Sequence, residues 1–332
     1  MPRTLSVVLL AVVLFAAPGT AAERFLLWED LEEMSPPVWP AGWTVSDANG
    51  DLTTWELRRY GGLDISPQCV RYSSHPTNPA DDWFFTGPVT LDAAISYTLN
   101  FHYKVSSAAH PHKLAVWIGV LPTPAGMTTM LFNEPSITNT VLVQAAVGFL
   151  PPALATYYVG FHCYSDPGQR RLFVDDVMLS QPSTDLQALL VFERAISNPG
   201  VTPTFAVGES MAIVASVTNI SGGTLRMNDR MAVGPWTSRL PEFSLIVVRP
   251  TGDTAEFILM FNKLGKPVAG DFRNYTAGEL IPKTYDLQTA FYLDAPGTYA
   301  VSAYYRNYHK DPSGLDAWLG KVESPAVTFV VQ

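Results

Sequence analysis

Apolar and polar residues alternate with a period of two over much of the chain. Across residues 96–105, Tyr97, Leu99, Phe101, Tyr103 and Val105 fall on one side, and Ser96, Thr98, Asn100, His102 and Lys104 on the other. Leu114, Val116, Ile118 and Val120 repeat the pattern, as do Tyr157, Val159, Phe161 and Cys163. Successive side chains of a strand point to opposite faces, so each run predicts a half-buried strand. Breakers separate the runs: Ser35-Pro36-Pro37, Gly61-Gly62, Pro122-Thr123-Pro124, Pro151-Pro152 and Asp166-Pro167-Gly168. With 27 Pro and 23 Gly spread in this way, the pattern favours an all-β chain built of sandwiches. Residues 186–196 also fit a helix, but their place between a polar gap and more strand-like runs favours a strand.

The gap is Gln181-Pro182-Ser183-Thr184. Beyond it, strand-like runs resume at 212–218, 243–248, 256–261, 298–305 and 326–331. The predicted organisation is an export signal over 1–22, one β-sandwich domain over 23–181, and an immunoglobulin-like β-sandwich over 185–332. The signal rests on Arg3, the apolar run 5–17 and the small residues before a cleavage site at Thr20-Ala21-Ala22. Pro18-Gly19 interrupts that run short of the roughly 18 residues a bilayer crossing needs, and no second run of that length follows, so no membrane span is expected. A secreted, periplasmic or cell-surface location follows.

Charge narrows the partners. There are 21 Lys+Arg against 30 Asp+Glu, and loss of residues 1–22 removes Arg3 as well. Such a chain repels phosphate backbones, which argues against nucleic acid and suits cations. Its two cysteines, Cys69 and Cys163, can form one disulfide in an exported protein, or remain two buried thiols.

Catalytic signatures are thin. No Gly-x-Ser-x-Gly, His-Glu-x-x-His or glycine-rich phosphate loop occurs. His110-Pro111-His112 reads as an extended loop, and His162 beside Cys163 points to the opposite face, so these two make no nucleophile–base pair. Asp47, Asn49 and Asp51, two apart around Gly50, are hard-oxygen donors that suit calcium, or an ordinary polar turn. Arg58 stands where an EF-hand would need its twelfth-position glutamate. Asp175 shares parity with Phe173 and Val177 in an apolar run, so it predicts a core-facing carboxylate in need of a partner; a bulge would exchange it with Asp176. Trp117, Tyr158 and Tyr164 lie on the polar parity of their strands and form a candidate glycan platform, with packing against loops as the alternative. Asn219-Ile220-Ser221 and Asn274-Tyr275-Thr276 fit the glycan-acceptor pattern, which in a bacterial chain reads as a chance match.

Four stretches in order carry a resemblance: Trp28-Glu29-Asp30-Leu31-Glu32 with Pro40-Ala41-Gly42-Trp43-Thr44; Asp47-Ala48-Asn49-Gly50-Asp51 with Trp55; Asp81-Asp82-Trp83-Phe84-Phe85-Thr86-Gly87-Pro88; and Leu172-Phe173-Val174-Asp175-Asp176-Val177-Met178-Leu179. Together they resemble the cleaved-adhesin or choice-of-anchor J domain of secreted bacterial proteins, over residues 25–180. Leu31 replaces the family's usual Phe, and Gly87 is an extra residue. The resemblance implies a calcium-bound jelly-roll sandwich for the first domain, used in adhesion or glycan contact. Glu29 and Glu32 would join Asp47, Asn49, Asp51 and Asp175 around the ion, because first and last strands of jelly rolls often pair. Ala295-Pro296-Gly297-Thr298-Tyr299 is similar to the ending of bacterial immunoglobulin-like modules. The expected function is a non-catalytic, calcium-stabilised adhesion or carbohydrate-binding module with an extracellular glycan or protein ligand. The alternatives are a structural protein of a cell-envelope assembly and an accessory module of a secreted hydrolase.

Overall fold

Alternation becomes strands throughout the computed structural model, which describes residues 22–32, 34–59, 68–235, 241–259 and 265–332. The export-signal reading falls on residues 1–21, outside the described residues. The chain divides into two compact units, one spanning Glu23–Pro182 and one containing Ser183–Gln332. Among the described residues, α-helix is confined to Glu193–Ser197 and Leu287–Ala290. The ambiguous segment 186–196 is a strand over Leu186–Phe192, with buried residues at every second position, before it turns into the first of these short helices. Residues 256–259 make only an isolated bridge, Phe257 with Phe291, and no strand.

The first unit holds β1 (Ala22–Glu29), β2 (Thr44–Asp47), β3 (Glu56–Arg59), β4 (Gln68–Ser73), β5 (Asp82–Phe85), β6 (Val89–Leu91), β7 (Tyr97–Val105), β8 (His112–Gly119), β9 (Met127–Ile137), β10 (Val143–Phe149), β11 (Ala155–Cys163) and β12 (Arg171–Ser183). One sheet runs β10-β7-β12-β1, with β4 against β12 and β3 against β4. The other runs β2-β5-β11-β8-β9, with β6 beside β11. Their inner faces meet in one core, where the alternating residues of β7, β8 and β11 are buried. Phe161 of β11 stacks flat on Phe84 of β5, ring centroids 4.4 Å apart, and takes Phe101 of β7 edge-on at 5.2 Å. Trp55 meets Phe84 edge-on at 5.1 Å. Offset-stacked and edge-on contacts are the favoured arrangements of aromatic quadrupoles, and these rings carry much of the buried area. The turn between β8 and β9 closes so tightly that a Cβ on Gly119 would stand 1.9 Å from the Gly126 carbonyl oxygen.

The second unit is also a pair of packed sheets. Leu186–Phe192, Ala212–Asn219 and Leu280–Asp286 form one antiparallel sheet. Opposite it, Gly297–Asn307 pairs with Phe243–Val248, Gly320–Glu323 and Val327–Val331. Phe192, Phe205, Tyr299 and Phe329 cluster between them. The Tyr299 hydroxyl donates to the Ala295 carbonyl at 2.8 Å and ties the preceding turn to its strand. Asn219 is fully buried: its amide donates to the Gly223 and Tyr275 carbonyls, and its oxygen accepts from Ser221. Glu242 accepts from Arg230, Asn228 and the Ala232 N–H, tying residues 228–232 to the start of Phe243–Val248.

Of the two readings of Cys69 and Cys163, a disulfide or two separate thiols, the structure has the second: both are free and buried. The reason is strand parity. Val70 and Tyr72 of β4 enter the core, so Cys69 between Gln68 and Val70 points to the other face of its sheet. Cys163 lies in the opposite sheet and points into the core. Burial pushes both thiols up to about 12. Unreduced protein unfolded in denaturant is therefore expected to titrate with two thiols per chain, and folded protein at pH 8 to react with a thiol reagent only as fast as it opens. A titre of zero in denaturant would mean the bridge exists.

Candidate functional site

The fixed direction of Phe161 sets the outer face of the second sheet. With Tyr157, Val159, Phe161 and Cys163 in the core, Tyr158, Gly160 and His162 must face outward, and Tyr164 continues the row. Register then aligns neighbours across the sheet. Trp83, His162, Ala115 and Asn133 stand side by side on β5, β11, β8 and β9. The next row is Phe85, Gly160, Trp117 and Met130. Trp117, Tyr158 and Tyr164 thus come to one face, as the period-two pattern implies.

The rings form a continuous strip. His162 stacks on Trp83 with centroids 4.0 Å apart and planes 6° from parallel. Trp83 in turn meets Phe85 at 5.8 Å and Trp117 at 6.4 Å. Tyr164 lies 5.6 Å from His162. Gly160 leaves room for Met127 to lie over the sheet, since a Cβ there would stand 2.7 Å from the Met127 sulfur. Trp83 and Phe85 are the buried part of the strip, with Met127 buried against them, while Trp117 and Tyr158 are half-buried at its surface. Polar groups edge it. Asp81 accepts from His162 Nε2 at 2.9 Å and from Trp83 Nε1 at 3.3 Å. Tyr164 donates to Asn133 Oδ1 at 2.5 Å. Burial holds the His162 imidazole below its usual range against the opposing pull of Asp81, so at neutral pH its Nε2–H donates to the carboxylate. Trp83 escapes a reading by alternation because it sits in the apolar run Trp83-Phe84-Phe85, whereas His162 shares the parity of Tyr158 and Tyr164.

The expected calcium ligands do not gather at one point. Among the described residues no three His, Cys, Asp or Glu side chains converge as metal donors. Asp47, Asn49 and Asp51 form a self-bonded loop at the end of β2. Asp47 accepts from the N–H groups of Gly50, Asp51 and Leu52, Asn49 from Asp51, and Asp51 from Thr53. Glu29 accepts from the Leu31 N–H, and Glu32 from that of Gln68. Asp175 belongs to the other sheet and does not face the core. The pairing of β12 with β7 shifts between Asp175 and Met178, and Asp176 takes a left-handed φ of 54°. This bulge leaves Leu172, Val174, Val177 and Leu179 in the core, so the parity shared by Phe173 and Asp175 does not extend to Val177. Asp176 instead lies 2.9 Å from His102 Nδ1.

A different acid is the anomaly. Asp82, paired in register with both Asp47 and Cys163, is fully buried, and neither carboxylate oxygen has a protein hydrogen-bond partner. Burial first, and then the charges of Asp47 and Asp51, push its carboxyl up to about 7; the hydroxyls of Tyr72 and Thr54 oppose this without reaching ordinary hydrogen-bond geometry. Along the same end of the core, His112 is fully buried, with Nδ1 2.9 Å from the Ser165 hydroxyl, which also sits 3.2 Å from the Cys163 sulfur. Burial holds His112 down to about 4. A buried carboxyl without a hydrogen-bond partner, close to other acids, carries a desolvation and repulsion cost that protonation relieves.

The two groups oppose each other in pH. Asp82 binds its proton more tightly folded than unfolded, so it removes stability as pH rises from about 4 to about 7. His112 binds its proton less tightly folded, so it removes stability as pH falls from about 6.5 to about 4. Urea melts in chelator should therefore show a shallow wild-type dependence over that range. Asp82→Asn should steepen the loss on acidification, and His112→Gln should reverse it, each by no more than about 1.4 kcal/mol per pH unit, the limit for one proton. Parallel curves for all three proteins would show that neither group titrates in this way.

No family model and no curated protein matches the chain. Among solved structures, it is similar to the K3 cleaved adhesin domain of Lys-gingipain from Porphyromonas gingivalis, with 22% identity, 48% of this chain and 98% of that one covered, and a TM-score of 0.39. It is also similar to the CBM22-1 xylan-binding domain of Paenibacillus barcinonensis Xyn10C, at 11% identity over 50% of this chain and 99% of that one, with a TM-score of 0.35.

Proposed function

We propose that the protein is an exported, non-catalytic binding protein whose first unit holds a neutral glycan on the outer face of its second sheet. The observation that carries this reading is the aromatic strip edged by Asp81, His162 and Asn133. Aromatic faces cover the C–H faces of sugar rings, while the carboxylate, imidazole and amide at the edge suit hydroxyl groups. A flat docking face for another protein would call for an apolar patch without these polar partners. An anionic glycan is disfavoured by Asp81 and by the overall excess of acidic residues. Export is inferred from the pattern of residues 1–22; no helix among the described residues is long and apolar enough to cross a membrane.

Calcium is a narrower second reading, favoured by the two unpaired oxygens of Asp82 next to Asp47 and Asp51. In it, the ion stabilises the loop between β2 and β3 by binding the folded state only. The gain would be about 2.7 kcal/mol at a calcium concentration one hundred times its dissociation constant.

A glycan array followed by calorimetry on the mature chain tests the first reading. Trp117→Ala is expected to weaken glycan binding about tenfold or more, equivalent to at least about 1.4 kcal/mol, without lowering the melting temperature by more than a few degrees. Capture of a protein ligand with no glycan bound would replace this reading with the docking one. For calcium, the melting temperature in excess calcium should exceed that in chelator, and Asp82→Asn should abolish most of the difference. Equal melting temperatures in protein shown to be metal-free would remove calcium.

A further inference from the structure

The outermost strands of the sheets are guarded unequally. β9, which ends the second sheet, carries Glu134 and Pro135, and its pairing with β8 is broken by register shifts at His112/Leu114, Val116/Trp117 and Ile118/Gly119. β2, at the other end of that sheet, is only four residues long. In the second unit, the outer strand Leu280–Asp286 contains Pro282 and Lys283. Charge, proline, brevity and bulges are the usual means by which a protein prevents its outermost strands from pairing with another chain.

β10 has none of these. It ends the first sheet, and among the described residues β7 is its one ladder partner. It runs for seven residues, Val-Gln-Ala-Ala-Val-Gly-Phe, in unbroken register against β7. No Asp, Glu, Lys or Arg occurs from Pro135 to Ser165, in a chain that is 15% charged. The residues of β7 aligned with Gln144, Ala146 and Gly148 are His102, Asn100 and Thr98, none of them an acid or a lysine or arginine. Val141, Val143 and Leu150 are exposed along the same margin.

We propose that β10 is the interface for a second copy of this chain, pairing antiparallel across a two-fold axis at Ala146 so that the sheet continues from one protomer into the other. A two-fold axis distinguishes this occupant from others. It sets the residue on the axis against its own symmetry mate and brings the two copies of every nearby residue close together, so a charge there would lie near a like charge. β10 itself carries no Asp, Glu, Lys or Arg, which removes that repulsion along the strand, although the protein as a whole is acidic. The register is self-consistent. Val143 meets Phe149, Gln144 meets Gly148 and Ala145 meets Val147, and each pair shares a face. Ala146 meets its own copy, with a side chain too small to clash. Backbone N–H and C=O groups on the open side of β10 gain partners, and Val143 and Phe149 lose exposure.

Sedimentation velocity on the mature chain over a range of micromolar to millimolar concentrations tests this. The wild type should form a reversible dimer. Ala146→Lys and Ala146→Glu should each weaken dimerisation by about tenfold or more, with melting temperatures close to wild type, since Ala146 is exposed. An equimolar mixture of the two variants should recover a heterodimer, because only a two-fold at this residue places lysine against glutamate. A wild type that stays monomeric throughout, or a dimer unaffected by both charges, would overturn the proposal. So would a mixture that behaves as its separate components while the wild type dimerises.

Discussion

The stack of Phe161 on Phe84 is the contact on which the first unit depends. A strand has only two faces, so seating one ring of β11 in the core decides the direction of every other side chain on it. Phe101 closes on the same ring from the opposite sheet and keeps β11 from slipping by one residue, a shift that would exchange its faces. The outer strip is the other half of that decision. His162 and Tyr158 stand outside because Phe161 and Val159 stand inside, and Trp83 is outside because Phe84 is inside. Core and candidate site are two sides of one register.

At one end of that core the apolar filling gives way to polar groups. Asp82, Tyr72, His112 and Cys163 bring polar atoms to strand positions that face the core, and Thr54 and Ser165 adjoin them from loops. Asp82 and His112 carry their costs at opposite ends of the pH scale, so the pair spreads the strain of a polar interior over a range in which neither dominates. The loop Asp47–Asp51 is well satisfied by its own backbone, whereas the acid directly across the ladder from it is not. The demand for a partner therefore sits on β5 and not in the loop whose spacing first attracts attention.

Much of this was legible in the residues, and the failures have local causes. β7, β8 and β11 alternate, and each is a strand with the expected side buried, except that Val120 falls past the end of β8 and is exposed. For Leu186–Phe192 the place between a polar gap and further strands favours strand over helix, and the structure buries every second residue of it. Asp175 was misplaced because parity was counted through Asp176, where the left-handed backbone inserts an extra residue. Sequence leaves the cysteines open between a bridge and two thiols, because which face Cys69 takes is decided by Val70 and Tyr72 entering the core. Trp83 and Asp82 stood in a run without alternation, Asp82-Trp83-Phe84-Phe85, where pattern gives no direction and only the neighbouring strands settle it. Long-range proximity, such as that of Tyr72 to Asp82, has no trace in a single sequence.

Asn219 has a practical consequence for making the protein. It lies in an acceptor sequence, Asn219-Ile220-Ser221, yet in the folded chain it is sealed inside, with amide and oxygen both bonded. An oligosaccharyltransferase acts on chains as they emerge, before such a residue is hidden. In a eukaryotic secretory pathway a sugar placed there would have no room in the finished sandwich, and the modified chains would be held back as misfolded. Asn274, exposed on its strand, would carry the same modification harmlessly. The choice of production host is thus built into one buried amide, and a bacterial periplasm avoids the conflict.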